Sequence, residues 1–258
     1  MNKVSFALII ALFSYNVNAS DLAKEKRWSD QVVDALIDGD EASLITDDKH
    51  QHEFLGIYTE AAEESHDAAI IMHGVGVHPD WQQVVKPLRV GLTEHGWNTL
   101  SIQMPILAND AEHDAYAPLF EEVTPRINAA IKYLKEAGNT TIVFISHSMG
   151  SAMAAYHLSK SSTDVSGFVG IGMSANDADK RMNESRTLTR VTIPVLDLYG
   201  ENDLNDVLES ATRRVDTTKK SGNKHYTQTM TKGANHFFDG KETELITTVE
   251  NWLKQFKN

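Results

Sequence analysis

Short apolar runs alternate with longer amphipathic segments along most of the chain. The runs are rich in Val, Ile, Leu and Phe and are bounded by Gly, Pro, Asn and Asp, which is typical of strands buried on both faces of a parallel sheet. The segments between them carry apolar residues at helical spacing. This alternation predicts an α/β domain with a mostly parallel central sheet and helices on both faces. The predicted strands are residues 68–72, 97–104, 141–145, 166–173, 194–199 and 225–230.

The N-terminal region departs from this pattern. Residues 20–50 are charged, with apolar residues at helical spacing, and predict one amphipathic helix ended at Asp38-Gly39-Asp40. Residues 53–59 predict an edge strand, and Asp80 with Gln83 resembles the start of a helix that runs to Gly96. Residues 174–190 are polar and are the candidate for a small lid.

Residues 1–19 have the form of a signal peptide. Lys3 precedes an apolar run over residues 4–15, and Val17-Asn18-Ala19 makes a small-x-small pattern before Ser20. The run is too short to span a bilayer comfortably. We therefore expect cleavage after Ala19, a single mature domain over residues 20–258, a periplasmic or secreted bacterial protein, and no stable membrane insertion.

The composition of the chain limits the partners and the catalytic groups that it could use. The chain of 258 residues has a formal net charge of −12 and no cysteine, and removal of residues 1–19 makes the charge one unit more negative because that segment carries Lys3 and no acid. An acidic chain is a poor partner for nucleic acid or an anionic membrane surface. The lack of thiols excludes a cysteine nucleophile or a thiolate metal site. His50 and His52 form an H-x-H pair without further ligands at suitable spacing, so we expect surface histidines and no metal.

One stretch carries a specific chemical signature. Residues 146–150 read S-H-S-M-G between a predicted strand and a predicted helix. This resembles G-x-S-x-G, the nucleophile elbow of the α/β-hydrolase superfamily, with Ser148 as nucleophile and Ser146 in place of the first glycine. The alternative is a chance string in a serine-containing chain. The resemblance implies the α/β-hydrolase fold with a small lid or none.

The resemblance assigns the other members of a catalytic triad. Asp203 follows a predicted strand and Gly200, where the superfamily places its acid, and Glu201 and Asp206 are rivals close by. His236 lies in the loop after the last predicted strand, where the superfamily places its base. The order serine, acid, histidine is that of α/β-hydrolases.

The loop at residues 73–76, H-G-V-G, resembles the superfamily loop that contributes an oxyanion-hole amide. The resemblance points to the backbone N–H of Val75, with Gly76 as the alternative. Met149, directly after the nucleophile, would supply the second amide.

Residues 78–105, H-P-D-W…P-L…G-W-x-T-L-S-I-Q-M-P, are similar to a bacterial family of exported α/β-hydrolase-like proteins of unknown function. The superfamily resemblance implies a serine hydrolase that cleaves a small-molecule ester or thioester of a small to medium acyl group without cofactor. Met72, Met104 and Met173 fall near predicted strand ends and would line the acyl pocket or fill the core. The competing hypothesis is a binding or structural protein of the cell envelope built on the same scaffold.

Overall fold

The computed structural model describes residues 20–36, 40–161 and 164–257. Its centre is an eight-stranded sheet in the order β1-β2-β4-β3-β5-β6-β7-β8, in which β2 is antiparallel to β1 and β4 and all other neighbours are parallel. The strands are β1 Asp40–Thr46, β2 Glu53–Thr59, β3 Asp67–Met72, β4 Asn98–Ile102, β5 Thr141–His147, β6 Gly167–Ile171, β7 Val195–Asn202 and β8 Tyr226–Asn235.

Helices cover the sheet on both faces, as the alternation predicts. The α-helices are α1 Leu22–Val33, α2 Val85–Gly91, α3 Phe120–Glu136, α4 Met149–Leu158, α5 Glu184–Thr187, α6 Asn205–Lys220 and α7 Glu242–Leu253. Short 3₁₀ helices lie at Leu92–His95, His113–Leu119, Leu188–Arg190 and Lys254–Phe256. The six parallel strands from β3 to β8 form the part of the sheet that carries the predicted site.

The central strands are apolar throughout because both of their faces are buried. In β5, Ile142 and Phe144 pack into the core beneath α3 and α4, whereas Val143 and Ile145 pack into the core beneath α2 and α7. Successive side chains of a strand point to opposite faces, so a five-residue apolar run feeds both cores. Each fully buried aliphatic side chain contributes on the order of 2 kcal/mol to folding, which fixes the strand at the centre of the sheet.

Two predictions near the N-terminus are wrong. The helix predicted to end at Asp38-Gly39-Asp40 is α1, which already ends at Val33, and the strand Asp40–Thr46, which the sequence did not predict, is β1, the true edge of the sheet. The segment predicted as an edge strand is β2, one position further in. Strand β1 is largely exposed and its sequence DEASLIT has little apolar alternation, so its pairing with β2 decides its structure.

Helix α2 begins at Val85, five residues after the predicted cap. Asp80 instead forms buried ion pairs with Arg89 at 2.7 Å and Lys86 at 3.0 Å. The predicted signal peptide lies outside the described residues. Within the described part of the chain, no helix has both the length and the apolar character needed to cross a bilayer.

Candidate active site

Ser148 occupies a strained turn between β5 and α4. Its backbone has φ 54° and ψ −125°, a region that residues other than glycine rarely adopt. The Ser148 amide donates to the Ile171 carbonyl at 2.8 Å, which ties the turn to the end of β6. The turn leaves Ser148 half-buried while its neighbours are buried. A strained serine at a strand-to-helix turn is the geometry of a nucleophile elbow.

The flanking small residues are needed for close packing. A Cβ on Gly150 would lie 2.4 Å from the His73 carbonyl oxygen and 2.7 Å from that of Met72, so a side chain cannot fit there. Ser146 fits the other small position because its hydroxyl donates to the Ser151 hydroxyl at 3.2 Å, and Ser151 donates back to the Ser146 carbonyl at 2.9 Å. The serine in place of the usual glycine is therefore accommodated by a local hydrogen-bond pair.

Asp203 and His236 lie together on the loops after β7 and β8. The His236 Nδ1 donates to the Asp203 carboxylate at 2.6 Å, and both side chains are almost wholly buried. The other hydrogen bonds to this carboxylate come from the amides of Gly200 at 3.0 Å and Leu204 at 2.8 Å. Burial acts to raise the pKa of Asp203, but the hydrogen bonds from His236 and the two amides outweigh it and hold the pKa below its usual range.

The two rival acids are placed differently. Glu201 is exposed and accepts from the Gly233 amide at 2.9 Å. Asp206 is exposed in the first turn of α6. In the described part of the chain neither carboxylate contacts His236, whereas Asp203 does.

The loop after β3 runs beside the elbow. The Met104 amide donates to His73 Nε2 at 3.0 Å, so His73 carries its proton on Nδ1 and donates to the Gly74 carbonyl at 2.8 Å. Burial lowers the pKa of His73 to about 3, which keeps the ring neutral. Through these two hydrogen bonds, neutral His73 connects the backbone just before Val75 to the backbone of Met104.

The two amides that the sequence favours are free of protein acceptors. Among the described residues, the backbone N–H groups of Val75 and Met149 donate to no protein group. Nearby, the Leu107 amide donates to the Tyr116 hydroxyl at 3.1 Å; burial raises the pKa of that phenol, and the backbone at Leu107 and Gly76 opposes the rise. Val75 and Met149 are therefore an available pair of donors, and Gly76 stays the alternative to Val75.

A cavity of about 110 Å³ opens beside Ser148. It brings Ser148 and His236 to one space, and residues of the predicted lid form part of its wall. Its lining comprises His113, Ser148, Met149, Ala152, Gly172, Ser174, Met182, Glu184, Leu204, Asp206, Val207 and His236. Asn176 donates to Asp114 at 3.1 Å, which joins the segment 174–190 to the 3₁₀ helix His113–Leu119 across the site.

The three methionines that the sequence proposes for the pocket lie elsewhere. Met72, Met104 and Met173 are at most 1% exposed and belong to the core beneath α3 and α4. The methionines that line the cavity are Met149 and Met182. A position near a strand end does not distinguish a core side chain from a pocket side chain, because that depends on how the crossover segments fold over the strand.

Two residues that the sequence did not indicate, His147 and Gly172, pack against His236. The His147 ring lies 4.7 Å from the His236 ring, and its Nε2 donates to the His236 carbonyl at 2.9 Å. Burial lowers the pKa of His147 to about 3, so it stays neutral. Gly172, at φ 63°, leaves room for the same ring, since a Cβ there would lie 2.7 Å from His236 Cε1. Only the position of His147 within the elbow could have signalled its role.

Glu184 is a second buried acid in the cavity wall. It is 1% exposed, and its Oε1 accepts from the Ser174 amide at 3.3 Å while its Oε2 has no hydrogen-bond partner among the described residues. Burial raises the pKa of Glu184 to about 8, so the group is largely protonated at neutral pH.

His50 and His52 lie at the surface near Asp47, away from the site. Among the described residues, no group of three or more His, Cys, Asp or Glu side chains is arranged to hold a metal ion. The candidate site is therefore built from Ser148, His236 and Asp203 and the two free amides.

Comparison with solved structures identifies the same architecture in several hydrolases. Est1E from Butyrivibrio proteoclasticus matches with a TM-score of 0.66 at 15% identity, over 83% of this chain and 98% of its own. A dienelactone hydrolase from Anabaena variabilis matches with a TM-score of 0.66 at 14% identity, over 84% and 98%. The Pyrococcus furiosus esterase Pf2001 matches with a TM-score of 0.68 at 16% identity, over 84% and 92%. At these identities the likeness establishes the fold.

Comparison with curated proteins finds no match to this chain by sequence. A family match covers nearly all of it, through residues 19–119 and 107–255. The chain belongs to the family described as "Protein of unknown function (DUF3530)", whose fold here is that of an α/β-hydrolase.

Proposed function

We propose that the protein is a serine hydrolase that cleaves an ester or thioester of a small to medium acyl group through an acyl-enzyme. One observation carries the proposal. A serine in a strained elbow shares a cavity with a histidine whose Nδ1 is bonded to a buried carboxylate at 2.6 Å. A serine hydroxyl, an oriented imidazole and a carboxylate together make an activated nucleophile.

Each residue has one role in the proposed reaction. His236 Nε2 accepts the proton of Ser148 as its Oγ attacks the substrate carbonyl carbon. Asp203 holds the imidazole with its proton on Nδ1 and stabilises the imidazolium that forms. The proton then passes from His236 to the leaving group, and water hydrolyses the acyl-enzyme by the same sequence of proton transfers.

The negative charge that develops on the carbonyl oxygen needs donors that are already in place. The free amides of Val75 and Met149 suit this role, because neither has another acceptor among the described residues, Met149 directly follows Ser148, and Val75 follows Gly74, where a Cβ would lie 3.1 Å from Ser148 Cβ. Met149 also lies at the start of α4, where the helix dipole favours negative charge.

The shape and lining of the cavity favour a small acyl group. Its volume of about 110 Å³ and its contacts with Met149, Met182 and Ala152 suit a short apolar chain. Leu204 in the lining is exposed, and exposed Phe237 packs edge-to-face against His236 with ring centroids 5.1 Å apart, so apolar surface lies close to the site. The printed names of the structural neighbours, esterase and dienelactone hydrolase, also favour ester cleavage.

The proposal is tested with a fluorophosphonate probe and with a panel of p-nitrophenyl esters and thioesters. We expect labelling of Ser148, hydrolysis of short acyl esters, and loss of both in Ser148→Ala. The matched control is Ser174→Ala, because Ser174 lines the same cavity but lies outside the elbow. Normal folding of wild type with neither labelling nor turnover would reject the enzyme and favour the alternative of a binding or structural envelope protein.

A further inference from the structure

A buried ionic cluster joins the start of the described chain to α3. The guanidinium of Arg126, wholly buried on α3, donates to Glu25 at 2.8 Å and to Glu122 at 3.2 Å. Ser20 completes the cluster, since its hydroxyl donates to Glu122 at 2.7 Å and accepts from Arg126 at 3.1 Å. We call Ser20, Glu25, Glu122 and Arg126 the N-terminal cluster.

The charges of this cluster do not balance in the unprocessed chain. Two carboxylates face one guanidinium, and their side chains are 5% and 11% exposed. An uncompensated buried charge is costly, so such groups are found paired. Burial raises the pKa of Glu25, as expected of a carboxylate that lacks full compensation, with Arg126 opposing the rise.

Among the described residues, no cation other than Arg126 forms an ion pair with Glu25 or Glu122. Lys24 on α1 directs its ammonium group to the Leu107 carbonyl at 2.9 Å. Asp21 caps α1 by accepting from the Lys24 amide at 2.9 Å. His73, the titratable group on the β3 side of Arg126, is neutral because burial lowers its pKa to about 3.

The Ser20 nitrogen lies where a cation is needed. It donates to Glu122 Oε1 at 3.0 Å, and Ser20 is 7% exposed. In the unprocessed chain this nitrogen is a neutral amide with one hydrogen. Cleavage after Ala19, at the position that the small-x-small pattern indicates, would convert it to an α-ammonium group with three donors and a positive charge.

We propose that Ser20 is the first residue of the mature protein and that its α-ammonium group is a buried ligand of Glu122. The step is hydrolysis of the Ala19–Ser20 peptide bond by an exporting cell's signal peptidase: water gives its oxygen to the Ala19 carbonyl carbon, and the Ser20 nitrogen takes up the protons. The new cation balances the second carboxylate. Processing therefore completes the fold of an exported protein, periplasmic or secreted.

The pH dependence of this contact has a definite sign. An α-amino group ordinarily has a pKa near 8, and a carboxylate partner raises it in the folded state. The stabilisation is then fully present below about pH 8 and is lost as pH rises through the folded-state pKa. The charged groups that face the nitrogen are Glu122 and Arg126 from α3 and Glu25 from α1.

The first test uses mass spectrometry and a thermodynamic cycle. Protein exported with its natural leader should begin at Ser20. Two proteins released from fusions, one beginning at Ser20 and one at Ala19, are then compared by urea unfolding, each with and without Glu122→Gln. Glu121→Gln is the matched control, because Glu121 is the neighbouring carboxylate and its side chain is 61% exposed.

We expect the extra residue to raise the unfolding equilibrium constant about tenfold at pH 7 in the two proteins that keep Glu122, wild type and Glu121→Gln. The reason is that the bond from a charged ammonium group to Glu122 becomes a weaker bond from a neutral amide. In Glu122→Gln the extension should change it less than about threefold, because the partner is gone. A different mature N-terminus, or an equal effect of the extension with and without Glu122, overturns the proposal.

A chemical probe keeps the test decisive if Glu122→Gln does not fold. Periodate cleaves an N-terminal serine only when its amine and hydroxyl are both accessible, and both groups bind Glu122 here. We expect oxidation of the folded Ser20 protein to be at least tenfold slower than of the same protein in urea. Equal rates would show that the N-terminus is free in solution and would overturn the proposal.

Discussion

Two walls of the cavity beside Ser148 are each backed by a buried carboxylic acid, Asp203 behind His236 and Glu184 in the lining itself, and the pKa values of the two acids are shifted in opposite directions. On the wall after β7 and β8, Asp203 accepts hydrogen bonds from His236 and from two backbone amides, and its pKa is lowered. On the wall formed by residues 174–190, Glu184 accepts one hydrogen bond of 3.3 Å, and burial raises its pKa to about 8.

Burial alone therefore does not set the charge of a carboxylic acid. Desolvation is the largest influence on both groups and raises the pKa of each. Three donors on Asp203 reverse that influence, whereas one amide on Glu184 does not. Ionised Asp203 can orient His236. Neutral Glu184 adds no second negative charge to the cavity that would compete with Asp203 for the imidazolium form of His236.

The largest expected effect comes from removing the charge on the first wall. Asp203→Asn should lower kcat by about 10³–10⁴, because the amide no longer enforces a proton on His236 Nδ1; the same change in a serine protease triad costs about 10⁴. Steady-state kinetics on the best ester, with circular dichroism to confirm folding, measure this.

The controls for that change are its two rivals. Glu201→Gln should alter kcat less than threefold, and Asp206→Asn, at an exposed position of the cavity lining, should lower it far less than Asp203→Asn, because neither carboxylate hydrogen-bonds His236. If either change is the damaging one and Asp203→Asn is mild, the acid is misassigned. If all three are mild while Ser148→Ala is inactive, the site is a Ser–His dyad.

The next effect concerns stability on the second wall. Between about pH 4.5 and pH 8 folded Glu184 keeps a proton that the unfolded chain releases, so its contribution to stability falls as pH rises. Glu184→Gln lacks this titration and should be more stable than wild type at pH 8, by a few kcal/mol at most, and similar at pH 5. Urea unfolding across this pH range measures the change.

Glu209→Gln, at an exposed position on α6, is the control for Glu184→Gln and should show no such trend. An unfolding free energy of Glu184→Gln that parallels wild type at every pH would mean that Glu184 is ionised in the folded protein. The contrast between the two walls would then be lost.

The smallest expected effect comes from the support beneath His236. His147→Phe keeps a ring against His236 but removes the hydrogen bond to its carbonyl, which is worth about 1 kcal/mol. We expect kcat to fall about tenfold with KM nearly unchanged. His157→Phe is the matched control, a buried histidine on α4 packed 5.8 Å from Phe144, and an equal loss of kcat there would show a general packing effect.

Much of the central fold could be predicted because local pattern and burial agree there. The strands predicted at 68–72, 141–145 and 166–173 correspond to β3, β5 and β6 within two residues at either end. Strand β1 and the start of α2 could not be predicted. The polar composition of β1 gives no alternation of apolar and polar residues. Asp80 does not cap α2 but pairs with Arg89, nine residues further on, and this contact forms only when the chain is folded.

The sequence by itself determined the order of the strands along the chain and the motif around Ser148, because tight turns and doubly buried strands restrict residue types locally. Tertiary structure alone decided which acid meets His236, which methionines line the cavity, and that Ser20 meets Glu122. These depend on contacts between residues 33 to 102 positions apart, whose geometry follows from how the sheet and its crossover helices pack. The local sequence pattern cannot predict such contacts, because hydrogen bonds and ion pairs depend on the distance between two side chains in the folded chain and not on their separation in sequence.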